Sequence, residues 1–332
     1  MSVEFRNEEE AKDYANYTLG VDDDAQKRLV LQSGITREMM GVVLPPAVIA
    51  HLKAISEKGE RPRIADVGTG PGNWLFDARA QLREAGISAI LDGYDLYPSL
   101  FPSEEKQKAE DIKFSELNIH TREQFESIGK YDVMHIRYLS AGIGPEQWDA
   151  AFDNCLSVIK PGGIFVWEEL LLEKMSINDP ATWKNVLRMF KLNWSILRRN
   201  DVDPKLSALF GEHLEATTRE EFTTKNLPEK WQRMQAVNMS MATKELVEGA
   251  SKHGDAVVKH LGLENVEELQ ALLKLTQQDF RDGCILHMPV NRWMGVKPLA
   301  GENPGRPVDD TYNPDSGKAK RSWVESIRRL LC

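Results

Sequence analysis

The stretch RIADVGTGPGNW, Arg63 to Trp74, decides how this chain is read. It opens with a short apolar run that stops at a glycine, the mark of a buried strand. Three glycines follow at alternating positions, Gly68, Gly70 and Gly72. With no Cβ in the way, such a loop turns sharply and brings its backbone close to a ligand. Directly behind it, NWLFDARAQLREAG carries apolar residues at helical spacing and closes on Gly86. Strand, glycine loop and helix in that order predict a pocket for a nucleotide-like molecule.

The same alternation continues outward from this unit. SAILDGYDL reads as a second strand, IKFSELNI as a third, YDVMHIRYL as a fourth and GGIFVWEEL as a fifth. TREQFESIG and PEQWDAAFDNCLSVI lie between them as helices. Residues 62 to 172 therefore predict an α/β, Rossmann-like, doubly wound and mostly parallel sheet with helices on both faces. Such sheets bind ligands beyond the carboxyl ends of their strands, near the point where strand order reverses. Residues 8 to 58 read as helices, and PPAVIAHLKAI has proline where a first helical turn accepts it. The acidic run from Asp22 reads as a helix start. Residues 180 to 272 also look mostly helical. There PATWKNVLRMFKLNWSILRRN sets Trp183, Phe190 and Trp194 along an amphipathic helix, either as core anchors or as part of a lid. CILHMPVNRWMGVKP reads as a long late strand, and the Pro-, Gly- and Asp-rich LAGENPGRPVDDTYNPDSG as an irregular tail. A short helix around RSWVESIRRLL docks back by Trp323, Ile327 and Leu330.

Composition narrows the function. The 332 residues are 41% hydrophobic and 28% charged, as in an ordinary globular protein, and the net charge is −9. A nucleic-acid groove needs a basic surface, so no nucleic-acid partner is expected. Cys155, Cys284 and Cys332 are far apart and odd in number, which suggests neither a metal site nor a secreted disulfide framework. The charged N-terminus lacks the apolar core of a signal peptide, no run is long enough to span a membrane, and the terminal cysteine is not a prenylation box. The expectation is a cytoplasmic protein with a small-molecule partner and no membrane partner; a homodimer is compatible with the sequence.

Two ligands compete for the glycine loop. A nicotinamide dinucleotide calls for G-x-G-x-x-G, but Asn73 stands where the third of those glycines would fall. Asp66, two residues before Gly68, would also lie close to two negative phosphates. S-adenosylmethionine carries a sulfonium and an ammonium and no phosphate, and suits this loop better. Asp95 ends the second strand, where a carboxylate can accept both ribose hydroxyls of either nucleoside. Asn118, at the end of the third strand, can bond an adenine edge, and Ile119 can pack on the ring.

The ordered set DVGTGPGNW, GYDL, ELNI, YDVMHIRYL and LSVIKPGGIFVWEE resembles the class I S-adenosylmethionine-dependent methyltransferases. HIRYL, YTLGVDDDAQKRLVLQSG and HMPVNRWMGVKP resemble a fungal subgroup that holds velvet-complex regulator-type methyltransferases and natural-product tailoring enzymes. The resemblance covers most of residues 10 to 298. It implies a seven-stranded sheet divided into an N-terminal helical cap (1–58), a cofactor-binding core (59–173), a helical lid insertion with the last strands (174–298) and a tail (299–332). It implies S-adenosyl-L-methionine as cofactor. Gly68 and Gly70 would approach the methionine part, with Asp66 supporting the loop. Asp95 would hold the ribose with Leu96 beside the adenine, and Asn118 and Ile119 would contact adenine; many family members have Asp where Asn118 stands. His135 would lie under the cofactor near the transferring methyl, and Tyr17 would close over it.

On the acceptor side, His135 is a candidate general base or a cofactor contact. Glu168 and Glu169 end a buried strand, and alternation lets at most one of them face the site. Glu169 could bind an amine or take a proton. Arg137 binds an acidic substrate group or pairs with one of these carboxylates, Tyr138 stands next to it, and His287 with Arg292 would line the pocket from the late strand. The expected activity is methylation of an O, N, S or C atom on a small molecule, a fungal secondary metabolite. The alternative is a methyltransferase fold that binds the cofactor without methyl transfer, as a pericyclase or cyclase or as a regulatory partner. A nicotinamide-dependent reductase is the reading that Asp66 and Asn73 oppose.

Overall fold

The structure is a computed structural model that describes residues 21–144, 146–197, 202–252, 255–260 and 262–299. Tyr17, Trp323, Ile327 and Leu330 lie outside the described residues. Two helices come first, α1 (Asp23–Met40) and α2 (Pro46–Glu57). The core follows as β1 (Arg63–Val67), α3 (Asn73–Glu84), β2 (Ile90–Asp95), α4 (Glu104–Glu110), β3 (Ile112–Glu116), α5 (Arg122–Ser127), β4 (Tyr131–Arg137), α6 (Trp148–Ser157) and β5 (Ile159–Leu170). The second half adds β6 (Ser176–Ile177), α7 (Lys184–Leu197), α8 (Val202–His213), β7 (Glu215–Thr223), α9 (Glu229–Lys252), α10 (Asp255–His260), α11 (Val266–Arg281), β8 (Leu286–His287) and β9 (Pro289–Val296).

Seven strands form one sheet in the order β3-β2-β1-β4-β5-β9-β7. The first five are parallel, and β9 runs antiparallel to both β5 and β7. Strand order reverses between β1 and β4, so the crevice for a ligand opens at their carboxyl ends. Alternation along β4 shows why the sheet is covered on both sides. Met134 and Ile136 join Phe152 of α6 and Phe210 of α8, while Val133 joins Leu52 of α2 and Leu75 of α3. A third apolar cluster ties the late helices together through Met189, Val247, Leu269 and Leu272.

The acidic run starts a helix as expected. Asp22 caps α1 by accepting from the backbone N–H groups of Asp24 and Ala25, at 3.1 and 3.0 Å. The helix ends on Gly41, with φ +74°. Helix α2 differs from the expected N-terminal cap: its Val48 and Leu52 pack on Ile64 beneath the sheet, so it belongs to the core layer. Strand β7 falls inside a region that reads as helical, because its sequence EATTREEFT is mostly polar. It is an edge strand, paired only to β9, and a strand half open to solvent has little reason to be apolar. The late strand is split: Leu286 and His287 pair with β6, and only Pro289–Val296 enters the main sheet. Among the described residues no helix is long and apolar enough to cross a membrane.

Candidate active site

A cavity of about 230 Å³ opens over the carboxyl ends of β1, β2 and β4. One side of it is the glycine loop between β1 and α3. Gly68 and Gly72 have φ of +72° and +77°, in the left-handed region that side chains with a Cβ resist. A Cβ on Gly68 would lie 2.8 Å from Leu139 Cδ1, and one on Gly72 would run into the Phe114 ring. The loop is therefore glycine for two reasons, backbone conformation and packing from behind. Gly72→Ala combines the left-handed strain of about 1–2 kcal/mol with displacement of a packed ring. It should lower stability by about 2–4 kcal/mol in urea unfolding, and a change within 0.5 kcal/mol would contradict this account.

Two carboxylates hold the loop. Asp95, at the end of β2, accepts the N–H of Gly70 at 2.8 Å and that of Tyr97 at 3.0 Å. Burial, against the pull of those N–H groups and with a smaller push from nearby Asp66, brings the carboxyl up to about 6. Asp66 accepts the Thr69 hydroxyl at 2.7 Å on one oxygen. Its other oxygen lies 2.7 Å from His135 Nδ1.

His135 corrects the sequence expectation. It is fully buried, stacked on Trp74 with ring centroids 3.7 Å apart, and it does not line the cavity. Alternation on β4 turns odd-numbered side chains toward α3, so the ring lies beneath Asp66 and not beside the acceptor. Its Nε2 lies 3.5 Å from Glu168 Oε2. Glu168 in turn accepts Arg292 Nε at 2.7 Å, and Arg292 Nη1 reaches Glu220 at 3.3 Å. A row of polar side chains thus crosses β1, β4, β5, β9 and β7 under the site. Burial pushes Glu168 up, but Arg292, His135 and Arg137 together outweigh it and hold the carboxyl well below its ordinary range. Arg292 accordingly belongs to this row and not to the pocket wall.

Of the two neighbouring carboxylates, Glu169 is the one that lines the cavity. Its oxygens accept the Ser140 N–H and hydroxyl, both at 2.9 Å. Burial raises its pKa despite these donors. Arg137 also lines the cavity; it donates to Ser33 at 3.0 Å and lies 3.9 Å from Glu168. Tyr138 has φ +57°, unusual for a residue with a Cβ. That backbone turn carries its hydroxyl to Thr36 of α1 at 2.8 Å, and burial pushes the phenol up. Leu96, Asn118 and Ile119 line the cavity as well, though the Asn118 side-chain oxygen accepts the N–H of His120 at 2.9 Å and so shapes its own turn. His287 is a second correction: it sits on β8, paired to Ser176, and its neighbour Met288 faces the cavity in its place. On a strand successive side chains point to opposite sides, so a shift of one residue decides this.

Sequence reasoning missed much of the far side. Helix α1 contributes Leu29, Gln32 and Ser33, and α9 contributes Asn238, Met239, Ala242 and Leu246. From the expected lid, residues 174–215, Met175 and Phe190 reach the cavity. The usable signal was polar residues set into apolar stripes at helical spacing, Gln32 in one helix and Asn238 in the other.

The strand order with its reversed β9, the left-handed glycine loop and the acid at the end of β2 define a nucleoside-binding methyltransferase fold. The donor set fits S-adenosylmethionine: a loop with glycine at every second position, a carboxylate beside it on the cavity wall, and apolar Leu96 and Ile119 for the adenine. No model of a known protein family matches the chain. It is 31% identical over 212 residues to the methyltransferase grgD of a Penicillium species, which covers 61% of this chain and 68% of the relative. The N-methyltransferase tcpN of Claviceps purpurea is 32% identical over 146 residues, 43% of this chain and 47% of that one. The secondary metabolism regulator laeA of Coprinopsis cinerea is 28% identical over 163 residues, 47% of this chain and 36% of its own length. The chain belongs to the class I S-adenosylmethionine-dependent methyltransferases, with fungal enzymes among its relatives and S-adenosylmethionine as its cofactor.

Proposed function

We propose that this protein methylates a small molecule, tailoring a fungal secondary metabolite, and does so in the cytoplasm. The observation that carries the reading is the continuity of one cavity from the glycine loop and Asp95 to the roof made by α1 and the largely apolar face of α9. The names of grgD and tcpN support it. In this reading Gly68 and Gly70 receive the methionine part, Asp95 the ribose hydroxyls, and Leu96, Asn118 and Ile119 the adenine. When bound, S-adenosylmethionine supplies a methyl carbon already activated by positive sulfur. The chain's own residues then orient the acceptor and exclude water. Glu169 is a positioning residue, because both of its oxygens are engaged by Ser140. It fixes the turn that carries Tyr138 and Leu139 over the cavity. His135 positions the glycine loop through Asp66 and has no base role.

The test is mass spectrometry of reactions containing the protein, S-adenosylmethionine and an extract of candidate metabolites. A mass gain of one methyl group, with S-adenosylhomocysteine formed in step, is the expected result. Cofactor bound but never consumed while a metabolite is converted to an isomer would overturn it in favour of a non-methylating enzyme.

A further inference from the structure

The acceptor side of the cavity has a definite chemical character. Its floor and roof are apolar: Leu170, Leu172 and Met175 on one side, Met239, Ala242 and Leu246 on the other. Methionine side chains adapt to irregular apolar shapes, so such a surface receives a hydrophobic skeleton without demanding one outline. Three charged groups line this side, and each has a partner within the chain, although the buried Nη2 of Arg28 makes no hydrogen bond among the described residues. Arg28 Nε donates to Glu245 at 2.8 Å. Arg137 is held by Ser33, and Glu169 by Ser140. Glu245 at 2.8 Å faces Arg28 and Glu168 at 3.9 Å faces Arg137, so an acceptor bearing its own carboxylate, phosphate or ammonium would leave water to meet cations whose charge is already countered, at a substantial desolvation cost.

Among the neutral polar groups on this side, one differs. Gln32 lines the cavity, half-buried on the face of α1 that also carries Arg28 and Leu29, and its side-chain amide makes no hydrogen bond within the described residues. The neighbouring amide of Asn238 donates to the backbone oxygen of Arg28 at 2.9 Å, which pins α9 to α1 and leaves recognition to Gln32. A primary amide offers both a donor and an acceptor, the complement of a carbonyl or a neutral amide.

From this geometry we infer that the acceptor is an uncharged, largely apolar molecule whose carbonyl or amide group is read by Gln32. The inference rests on the methyltransferase reading and names its substrate class. A phosphorylated or zwitterionic acceptor is disfavoured.

The experiment uses the full chain saturated with S-adenosylhomocysteine and two fluorescent probes, the neutral naphthalene ketone prodan and the anionic anilinonaphthalene sulfonate. Calorimetry with S-adenosylhomocysteine is run in parallel on every variant. Prodan should bind with blue-shifted emission, and the anion about tenfold more weakly or worse. Ala242→Trp should abolish prodan binding by filling the acceptor side. Gln32→Ala should weaken prodan about five- to tenfold, the effect of one hydrogen bond, with affinity for S-adenosylhomocysteine unchanged. Anion binding as tight as that of prodan, no prodan binding, or no response to Gln32→Ala would each overturn the inference while leaving the cofactor result standing. Failure of the wild-type chain to bind S-adenosylhomocysteine would overturn the methyltransferase reading itself, and the inference with it.

Discussion

Glu168→Ala is expected to destabilise the protein by about 3–5 kcal/mol, the cost of leaving a buried guanidinium uncompensated. Arg292 is 2% exposed and loses its 2.7 Å partner in this variant. What remains to it is Glu220 at 3.3 Å, the carbonyl of Val42 at 3.1 Å and the Met40 sulfur. The imidazole of His135 loses its neighbour on the Nε2 side at the same time. The pair itself contributes far less than this difference, because both charges were taken out of water to form it. Glu168→Met combined with Arg292→Met should therefore recover most of the loss. Urea unfolding of the three proteins measures both quantities. A single-variant loss below about 1 kcal/mol would show that water reaches Arg292 and that the row across the five strands is not a closed network.

The part of this molecule legible in its sequence is the part where several constraints act on adjacent residues. β1, the glycine loop and α3 are contiguous, and strand burial, left-handed backbone and helix spacing all bear on Arg63–Glu84. Asp95 is legible for a similar reason, since an acid ending an apolar strand has few structural uses. His135 was placed on the correct strand but given the wrong face. Strand parity is set by pairing with β1 and β5, and a single β4 sequence does not state which of two apolar faces meets α3. Glu168 illustrates a further limit. Its partner Arg292 lies 124 residues away, and only the antiparallel register of β5 and β9 brings them opposite each other. The strand at 215–223 was hidden by its polar composition. The roof of the cavity was hidden by topology: any of the late helices could have supplied it, and α9 does because it packs along α1. The fold was therefore read from local patterns, while the acceptor side, built from residues remote in sequence, was not.

Asp95→Ala is expected to weaken S-adenosylhomocysteine binding by about 10²–10⁴-fold. Two ribose hydroxyls donating to a carboxylate are charge-assisted bonds of about 1.5–3 kcal/mol each, and the change also orphans the N–H groups of Gly70 and Tyr97 that shape the loop. The same carboxylate sets a pH dependence. In the folded protein without ligand it titrates at about 6, above its ordinary 3.8, because burial disfavours the charged form. A folded-state pKa above the unfolded one means that the folded chain binds more protons in that window. This group's contribution to stability is therefore fully present below about pH 4 and is lost as pH rises through about 6, a change of about 3 kcal/mol across roughly two units. Ligand binding has the opposite sense, since the ribose hydroxyls donate best to the ionised form. Calorimetric affinity for S-adenosylhomocysteine should be flat above about pH 7 and fall about tenfold per unit below about pH 6. Asp95→Asn keeps one acceptor oxygen and cannot ionise, so it should bind more weakly at pH 8 yet show no slope between pH 5 and 8. A slope that survives in Asp95→Asn would move the titrating group elsewhere and remove Asp95 from the ribose site.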